Sequence, residues 1–281
     1  MKKEVMILTG AGQIGMAIAR RMGYGKKIVV GDLNPESTEA VCRILNAGEQ
    51  CSGTNEAGFD AVPVEMNLSS RESILNLIAV ARKHGEISML VNTAGVSPSQ
   101  ASIETILKVD LYGTAVLLEE VGKVIKENGV GVTISSQSGH RMPALTIEED
   151  MLLATTPTEE LLSLDMLQPD SIKDTLHAYQ MAKRCNVKRV MAEAVKWGER
   201  GARINSISPG IIVTPLAING PRGDFYKNMF AKCPAGRPGT ADEVANVAEL
   251  LMGDRGAFIT GADFLIDGGA TASYFYGPLK P

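Results

Sequence analysis

Cysteine is scarce: Cys42, Cys51, Cys185 and Cys233 are scattered over 281 residues, with no Cys-x-x-Cys pair among them. That spacing argues against a zinc site or a disulfide framework and fits the reduced thiols of a cytoplasmic protein. No cluster of His, Cys and carboxylates has metal-ligand spacing, so no metal is expected. No apolar run approaches a membrane span, and the opening MKKEVMILTGAG breaks into glycine too early for a secretory signal. There is no basic excess either. The formal net charge is −4, which gives no electrostatic reason to expect nucleic acid or an anionic membrane as partner. No proline-rich linker or shift of composition divides the chain, which is 44% hydrophobic and 21% charged. A single domain over residues 1–281 is expected.

Seven short, β-rich apolar runs are present: EVMILTG, KIVVGD, DAVPVEMN, SMLVNTAG, GVTISS, ARINSISPG and DFLIDGG, each separated from the next by an amphipathic stretch. Strands apolar on both faces that alternate with helices predict a parallel sheet covered on both sides. The fold class is therefore α/β, a doubly wound sheet of the Rossmann type. One stretch breaks the rhythm. From about His140 to Thr175 the chain is leucine- and methionine-rich, acidic, and interrupted by Pro157 and Pro169, which predicts two short amphipathic helices inserted into the domain.

The first strand run leads into LTGAGQIGMAIA, giving Gly10-x-Gly12-x-x-Gly15 at the opening of a helix, with Gln13 and Ile14 in its first turn. Glycines there permit a tight turn, close backbone approach to a pyrophosphate and close helix packing, while free helix N–H groups face the anion. Asp32 ends the second strand run twenty residues after Gly12, where a carboxylate accepts hydrogen bonds from the adenosine ribose hydroxyls. The same charge repels a 2′-phosphate, and Leu33 and Asn34 offer no cation to offset it. The expected cofactor is NAD, with NADP disfavoured.

Tyr179 stands four residues before Lys183 in HAYQMAKR, and Tyr276 four before Lys280 in YGPLK. Proline separates the two cases: Pro278 argues against a helix around the second pair, whereas 177–200 reads as one uninterrupted helix. With TGAGQIG, Asp32, NTAG (92–95), ISSQSG (134–139), YQMAK (179–183), RINSISPGIIVTP (203–215), GRPGTADEVA (236–245) and ITGADFLIDGG (259–269) in this order, the sequence resembles the short-chain dehydrogenase/reductase family over nearly its whole length. The resemblance implies Ser136, Tyr179 and Lys183 as catalytic residues. Physical reasoning agrees, because residues four apart share a helix face. A free phenol ionises near pH 10, and a positive charge about 4 Å away at an effective dielectric near 20 contributes on the order of 4 kcal/mol toward its ionised form. Tyr179 would exchange the hydroxyl proton while hydride passes to or from nicotinamide. Ser136 would hold the substrate oxygen and Lys183 the nicotinamide ribose.

By the same resemblance Asn92, Ala94 and Gly95 lie beside the cofactor, in contact with it or as packing. Pro209, Gly210, Ile212 and Thr214 turn the chain over the nicotinamide, and Asn67 with Leu68 meets the adenine. The pattern departs from the family at several points. Asp110 replaces an asparagine of the family's proton relay. Asn67 replaces an aspartate, and the glycine turn is one residue short, as in branches that include epimerases and dehydratases. Ser136 and Tyr179 are 43 residues apart, far beyond the family's usual separation. The inserted segment is either a cap over an apolar substrate or a surface and subunit contact. A comparable insertion and the phrase KWGERGARINSISPG resemble bacterial 3α-hydroxysteroid dehydrogenase/carbonyl reductases, which implies a bulky secondary alcohol or ketone, such as a hydroxysteroid, as substrate. A dinucleotide-binding sensor without turnover and an NAD-retaining epimerase or dehydratase are the alternatives. His140 and His177 read as ordinary surface or satisfied histidines. The aromatic tail Tyr274, Phe275 and Tyr276 is expected at a subunit interface of a homodimer or homotetramer.

Overall fold

The computed structural model describes residues 3–47, 59–213 and 223–280. Seven strands form one sheet: β1 (Lys3–Thr9), β2 (Lys27–Asp32), β3 (Asp60–Glu65), β4 (Gly85–Asn92), β5 (Val130–Ile134), β6 (Arg203–Pro209) and β7 (Asp263–Ile266). Every pairing is parallel, and the spatial order is β3-β2-β1-β4-β5-β6-β7. All seven fall on the runs expected from the sequence, with β4 beginning three residues earlier, at Gly85, and β1 and β5 one residue earlier. Val5, Met6, Ile7 and Leu8 of β1 have no exposed surface, as a central strand covered on both faces requires.

One face of the sheet carries α1 (Gln13–Met22), α2 (Pro35–Asn46) and α8 (Ala241–Met252). Their apolar stripes, with Ile18, Val41, Val244 and Leu251, pack on Met6, Leu8, Ile28 and Val132. The opposite face carries α3 (Arg71–His84), α4 (103–122) and α6 (Thr175–Glu199), where Leu77, Val116, Val190 and Trp197 pack on Val5, Ile7, Val29 and Leu90. Start signals are written locally. Asn34 accepts hydrogen bonds from the N–H groups of Glu36 and Ser37 ahead of Pro35, and Thr240 and Glu243 form a reciprocal capping box. The α4 helix is α-helical over Ile103–Ile106, widens to a π-helix over Leu107–Gly113 and resumes over Thr114–Gly122. Such a widening re-aims side chains, and here it holds Asp110.

The sequence order of the strands reverses between β1 and β4, so the crevice of a doubly wound sheet opens at the carboxyl ends of these two strands. Asp32, Asn92, Ser136 and Pro209 all lie at or just past such carboxyl ends. The fold therefore gathers residues far apart in sequence at one rim.

The 140–175 segment contains one α-helix, α5 (Ile147–Thr155), followed by 3-10 turns at Thr158–Ser163 and Asp165–Leu167. The expected second amphipathic helix is instead a pair of 3-10 turns bracketed by Pro157 and Pro169, and these turns carry Leu161 and Leu167 into the core. Leu153, Leu161, Leu167 and Ile172 are buried against Ile106, Leu111, Met181 and Cys185 of α4 and α6. Asp150 anchors the segment from outside the core, accepting from Arg184 Nε at 2.9 Å and lying 3.0 Å from Lys188 Nζ. The bulk of the insertion is therefore a third layer on the flank of α4 and α6. Leu153→Ala should cost about 2–5 kcal/mol in urea unfolding while kcat/KM for any alcohol substrate changes less than about threefold. A large loss of kcat/KM with stability retained would place the segment in the site instead.

Candidate active site

The turn after β1 is built for close approach. Gly10 has φ +89°, and a Cβ there would lie 2.6 Å from Ala94 N, so only glycine lets the β1 and β4 loops touch. Thr93 Oγ1 latches the two loops by donating to Thr9 O at 2.9 Å, and Asn92 Oδ1 accepts from the Thr9 hydroxyl at 2.7 Å. Asn92 is buried with its side-chain oxygen spent on Thr9, and Ala94 packs against the core below, so packing accounts for both side chains. Gly15 sits where a Cβ would strike Thr93 Oγ1 and Leu8, which seats α1 on the sheet. Gly12 is different: a Cβ there would meet nothing within 4 Å. It heads α1 with no side-chain cap, so the N–H groups of the first turn, at Gln13 and Ile14, face an open space suited to an anion.

Asp32 closes one end of this crevice. Its Oδ2 accepts from Ala11 N at 2.8 Å and its Oδ1 from Asn34 N at 3.0 Å, which fixes the carboxylate while leaving lone pairs for further donors. Asn67 Oδ1 is held by the Ser69 N–H and hydroxyl at 3.0 and 2.7 Å, so its amide NH₂ is the group that remains for a ligand. Leu68 has its side chain in the core and can offer only backbone. On the other side, Gly210 N donates to Ile266 O at 2.8 Å. Beyond it, Ile212 pairs with Gly239 through the Ile211 carbonyl and the Val213 N–H, hydrogen bonds that do not use Ile212's own peptide groups. Thr214 lies outside the described residues. The open helix terminus, the oriented carboxylate and the Ile212 peptide together fit a dinucleotide laid across the rim.

Tyr179 and Lys183 lie on one face of α6, capped at its start by Asp174, whose Oδ1 accepts from His177 N at 2.7 Å. The ammonium of Lys183 stands 5.2 Å from the centre of the Tyr179 ring and 3.5 Å from Asp110 Oδ2. Lys183 is 5% exposed and Asp110 not at all, so this is a charge pair inside the protein. Asp110 Oδ1 accepts from Val96 N at 2.8 Å, whereas Oδ2 has no hydrogen bond and is directed only to the lysine. Gly95 makes room, since a Cβ there would lie 3.0 Å from Asp110 Oδ1. Ser135 Oγ donates to the Lys183 carbonyl at 2.8 Å, and Gly139 lets the loop after β5 rest on the backbone of Lys183 and Arg184. Ser136 accepts from Ser138 N at 3.1 Å, and it shares the wall of one cavity with Tyr179.

Burial of the Tyr179 phenol outweighs the downward pull of Lys183, a pull that the spacing leads one to expect. Burial is the largest influence on the Tyr179 phenol and pushes it up; Lys183 pulls it down, Asp110 pushes it up, and the Ser136 hydroxyl pulls it down, for a net rise above the usual phenol value. A lysine four residues away predicts a lowering, but the spacing carries no information on desolvation or on Asp110. Burial draws Lys183 down, but Asp110 and Tyr179 more than offset it, so its ammonium persists above the ordinary range. Asp110 is raised by burial, against the pull of Lys183 and of the Val96 N–H.

The cavity above Tyr179 has a volume of about 410 Å³. Apolar walls come from Ile134, Leu176, Ile211 and, on α7 (Gly223–Lys232), Met229; polar ones come from Ser97, Gln180 and Arg141. Arg141 is the cavity's contribution from the inserted segment. Tyr274, on the C-terminal helix α9 (Ala270–Tyr276), also lines it, while Tyr276 is 92% exposed. Sequence reasoning missed Arg141, Gln180 and Met229, for which no local pattern exists. Neither His140 nor His177 lines the cavity. His140 Nε2 bonds Asp263 at 2.7 Å and His177 Nδ1 accepts from Lys173 N at 3.2 Å. Among the described residues there is no metal-ligating cluster and no helix long and apolar enough to cross a membrane.

Residues 4–147 match the family described as short chain dehydrogenase, and residues 152–271 that described as enoyl-(acyl carrier protein) reductase. The short-chain dehydrogenase/reductase bsc3 of Alternaria brassicicola is 36% identical over 281 residues, 97% of either chain. D-threitol dehydrogenase of Mycolicibacterium smegmatis is 31% identical, over 95% of this chain and 93% of that one. Among solved structures, a 7α-hydroxysteroid dehydrogenase complexed with NADH and 7-oxo glycochenodeoxycholic acid superposes with a TM-score of 0.73 at 21% identity, over 95% of this chain and 93% of that one, which shows the shared fold. The chain belongs to the short-chain dehydrogenase/reductase family. It is an oxidoreductase of a family that acts on CH–OH groups with nicotinamide cofactors.

In Asp110→Asn the amide oxygen can keep the Val96 N–H while the charge is lost. The phenol is then no longer raised by Asp110, and Lys183 is no longer raised by its carboxylate, so both groups lose their protons at lower pH. The pH profile of alcohol oxidation, read as NADH formation from neutral to strongly alkaline buffer, should move to lower pH on both limbs. An unchanged profile would mean that the Asp110 charge is not felt at the phenol.

Proposed function

We propose that this enzyme transfers hydride between a bulky secondary alcohol or ketone and NAD, with Tyr179 exchanging the hydroxyl proton. The observation that carries the reading is the convergence of Ser136 and Tyr179 on one cavity wall, with Lys183 and Asp110 buried behind them. The cofactor supplies hydride acceptance and, in its oxidised form, a positive charge. NAD, rather than NADP, is favoured by the carboxylate of Asp32, fixed by two backbone N–H groups where the adenosine ribose would lie. The uncapped first turn of α1 would take the pyrophosphate, the Asn67 amide the adenine, and Ile212 with Lys183 the nicotinamide end.

On the substrate side, Ser136 donates to the reacting oxygen and Tyr179 removes its proton during oxidation or returns it during reduction. Lys183 opposes the cost of a phenolate in a buried place. Asp110 keeps the lysine charged and oriented. The cavity's apolar walls offer surface to a ring-bearing alcohol. Relatives named for 7α-hydroxysteroid and cis-4-hydroxycyclohexanecarboxylate are of that kind. Cytoplasmic residence and a homodimer or homotetramer complete the proposal.

NADH formation by the purified protein across hydroxysteroids, cyclic alcohols and polyols tests this reading. Tyr179→Phe should lower kcat by about 10²–10⁴-fold with NAD affinity nearly unchanged. Turnover that survives this change, or tightly held NAD with no net reduction for any alcohol, would point to an epimerase, a dehydratase or a sensor. Asp32→Ala should raise KM for NAD by about 10- to 100-fold, as hydrogen bonds to a charged acceptor are worth about 1.5–3 kcal/mol, and should narrow the gap to NADP.

A further inference from the structure

Arg141 stands five residues after Ser136 at the wall of the substrate cavity. Its backbone is fixed to the helix that carries Tyr179: Gln180 Nε2 donates to the Arg141 carbonyl at 3.0 Å, and Arg141 N donates to Ser138 O at 3.3 Å. Its side chain lacks what a guanidinium inside a protein needs. No carboxylate pairs with it among the described residues. Its contacts are the Met229 thioether, 3.9 Å from Nη1, and the face of the Tyr274 ring, 5.6 Å away. A thioether is a weak acceptor, and a ring face satisfies none of the five N–H donors in their own plane. Nε is buried with no partner at all.

The acid that acts on the guanidinium, Asp267, is already engaged. Asp267 accepts from the N–H groups of Gly269 and Thr271 at 2.8 and 2.7 Å. Burial accordingly draws the guanidinium below its ordinary value, with Asp267 and Tyr274 opposing only in part. Arginine nevertheless stays protonated in proteins, and this one is half-buried, with Nε shut off from water and no counter-charge beside it. Such a charge on a cavity wall is a binding group whose partner arrives with the ligand.

We infer that the substrate carries a carboxylate and that Arg141 binds it, with the apolar frame between this anchor and the hydroxyl held at Tyr179. The inference rests on the proposed dehydrogenase reading for the position of the hydroxyl, but the anion site stands on Arg141 alone. Among the described residues that line the cavity Arg141 is the one cation, and none is an acid. A singly charged planar anion matches one guanidinium fork, whereas a phosphate would leave charge uncompensated.

Calorimetric titration of the full-length protein with cyclohexanecarboxylate, benzoate and decanoate, each against its neutral amide, tests the site without requiring turnover. The wild type should bind carboxylates at least about tenfold tighter than amides. Arg141→Gln should reduce that preference to less than about twofold while leaving amide affinity in place, and Arg141→Lys, which keeps the charge but not the fork, should retain part of it. Equal affinity for acid and amide in the wild type, or a preference that survives in Arg141→Gln, overturns the inference. Because no hydride transfer is involved, failure of the dehydrogenase reading appears only in the NADH assay and failure of the anion site only in the titration.

Discussion

A lysine ammonium held in the protein interior is the constraint around which the site is arranged. Lys183 is nearly inaccessible to water and has one carboxylate within 4 Å, that of Asp110. A charge in that position is tolerated only when paired and oriented, and several otherwise unrelated features serve this end. The π-helical turn brings Asp110 inward, Gly95 leaves room for its carboxylate, the Val96 N–H fixes one of its oxygens, and Ser135 ties the Lys183 backbone to β5. Aspartate at this position gives the lysine a full counter-charge, and the same charge also acts on the Tyr179 phenol.

The sheet supplies the frame for that arrangement. Every group with a proposed part in cofactor binding outside α6 lies at a carboxyl strand end or in the loop and helix start that follow, because parallel strands with crossover helices put all such ends on one rim. The inserted segment leaves this rim almost untouched. It emerges beside Ser136 and returns to α6 just before Tyr179, yet its buried leucines are spent on the flank of α4 and α6, and Arg141 is what it turns to the cavity. The cavity wall and the buried flank thus come from different parts of one stretch of chain.

Much of this was legible in the sequence. The seven strand runs, the glycine turn, Asp32 and the uninterrupted helix bearing Tyr179 and Lys183 are local patterns, governed by periodicity, capping and glycine placement, which act between near neighbours. The inserted helix was also legible, but its continuation was not: the stretch between Pro157 and Pro169 forms 3-10 turns rather than a second α-helix. Neither histidine had a ligand-forming neighbour in sequence, and in the fold His140 is spent on Asp263 and His177 on the backbone of Lys173.

The sequence by itself determined the class of fold, the residues at the strand ends and the spacing that puts a phenol and an ammonium on one helix face. Only the tertiary structure decided that Asp110 would meet Lys183, that Asn92 would be spent on Thr9, that Tyr274 would wall the cavity, and that Arg141 would be left without a counter-charge. It also decided the direction in which the phenol is shifted. The physical reason is common to all of these. Hydrogen-bond partners and desolvation depend on which distant segments share a volume, and no spacing along the chain encodes that volume.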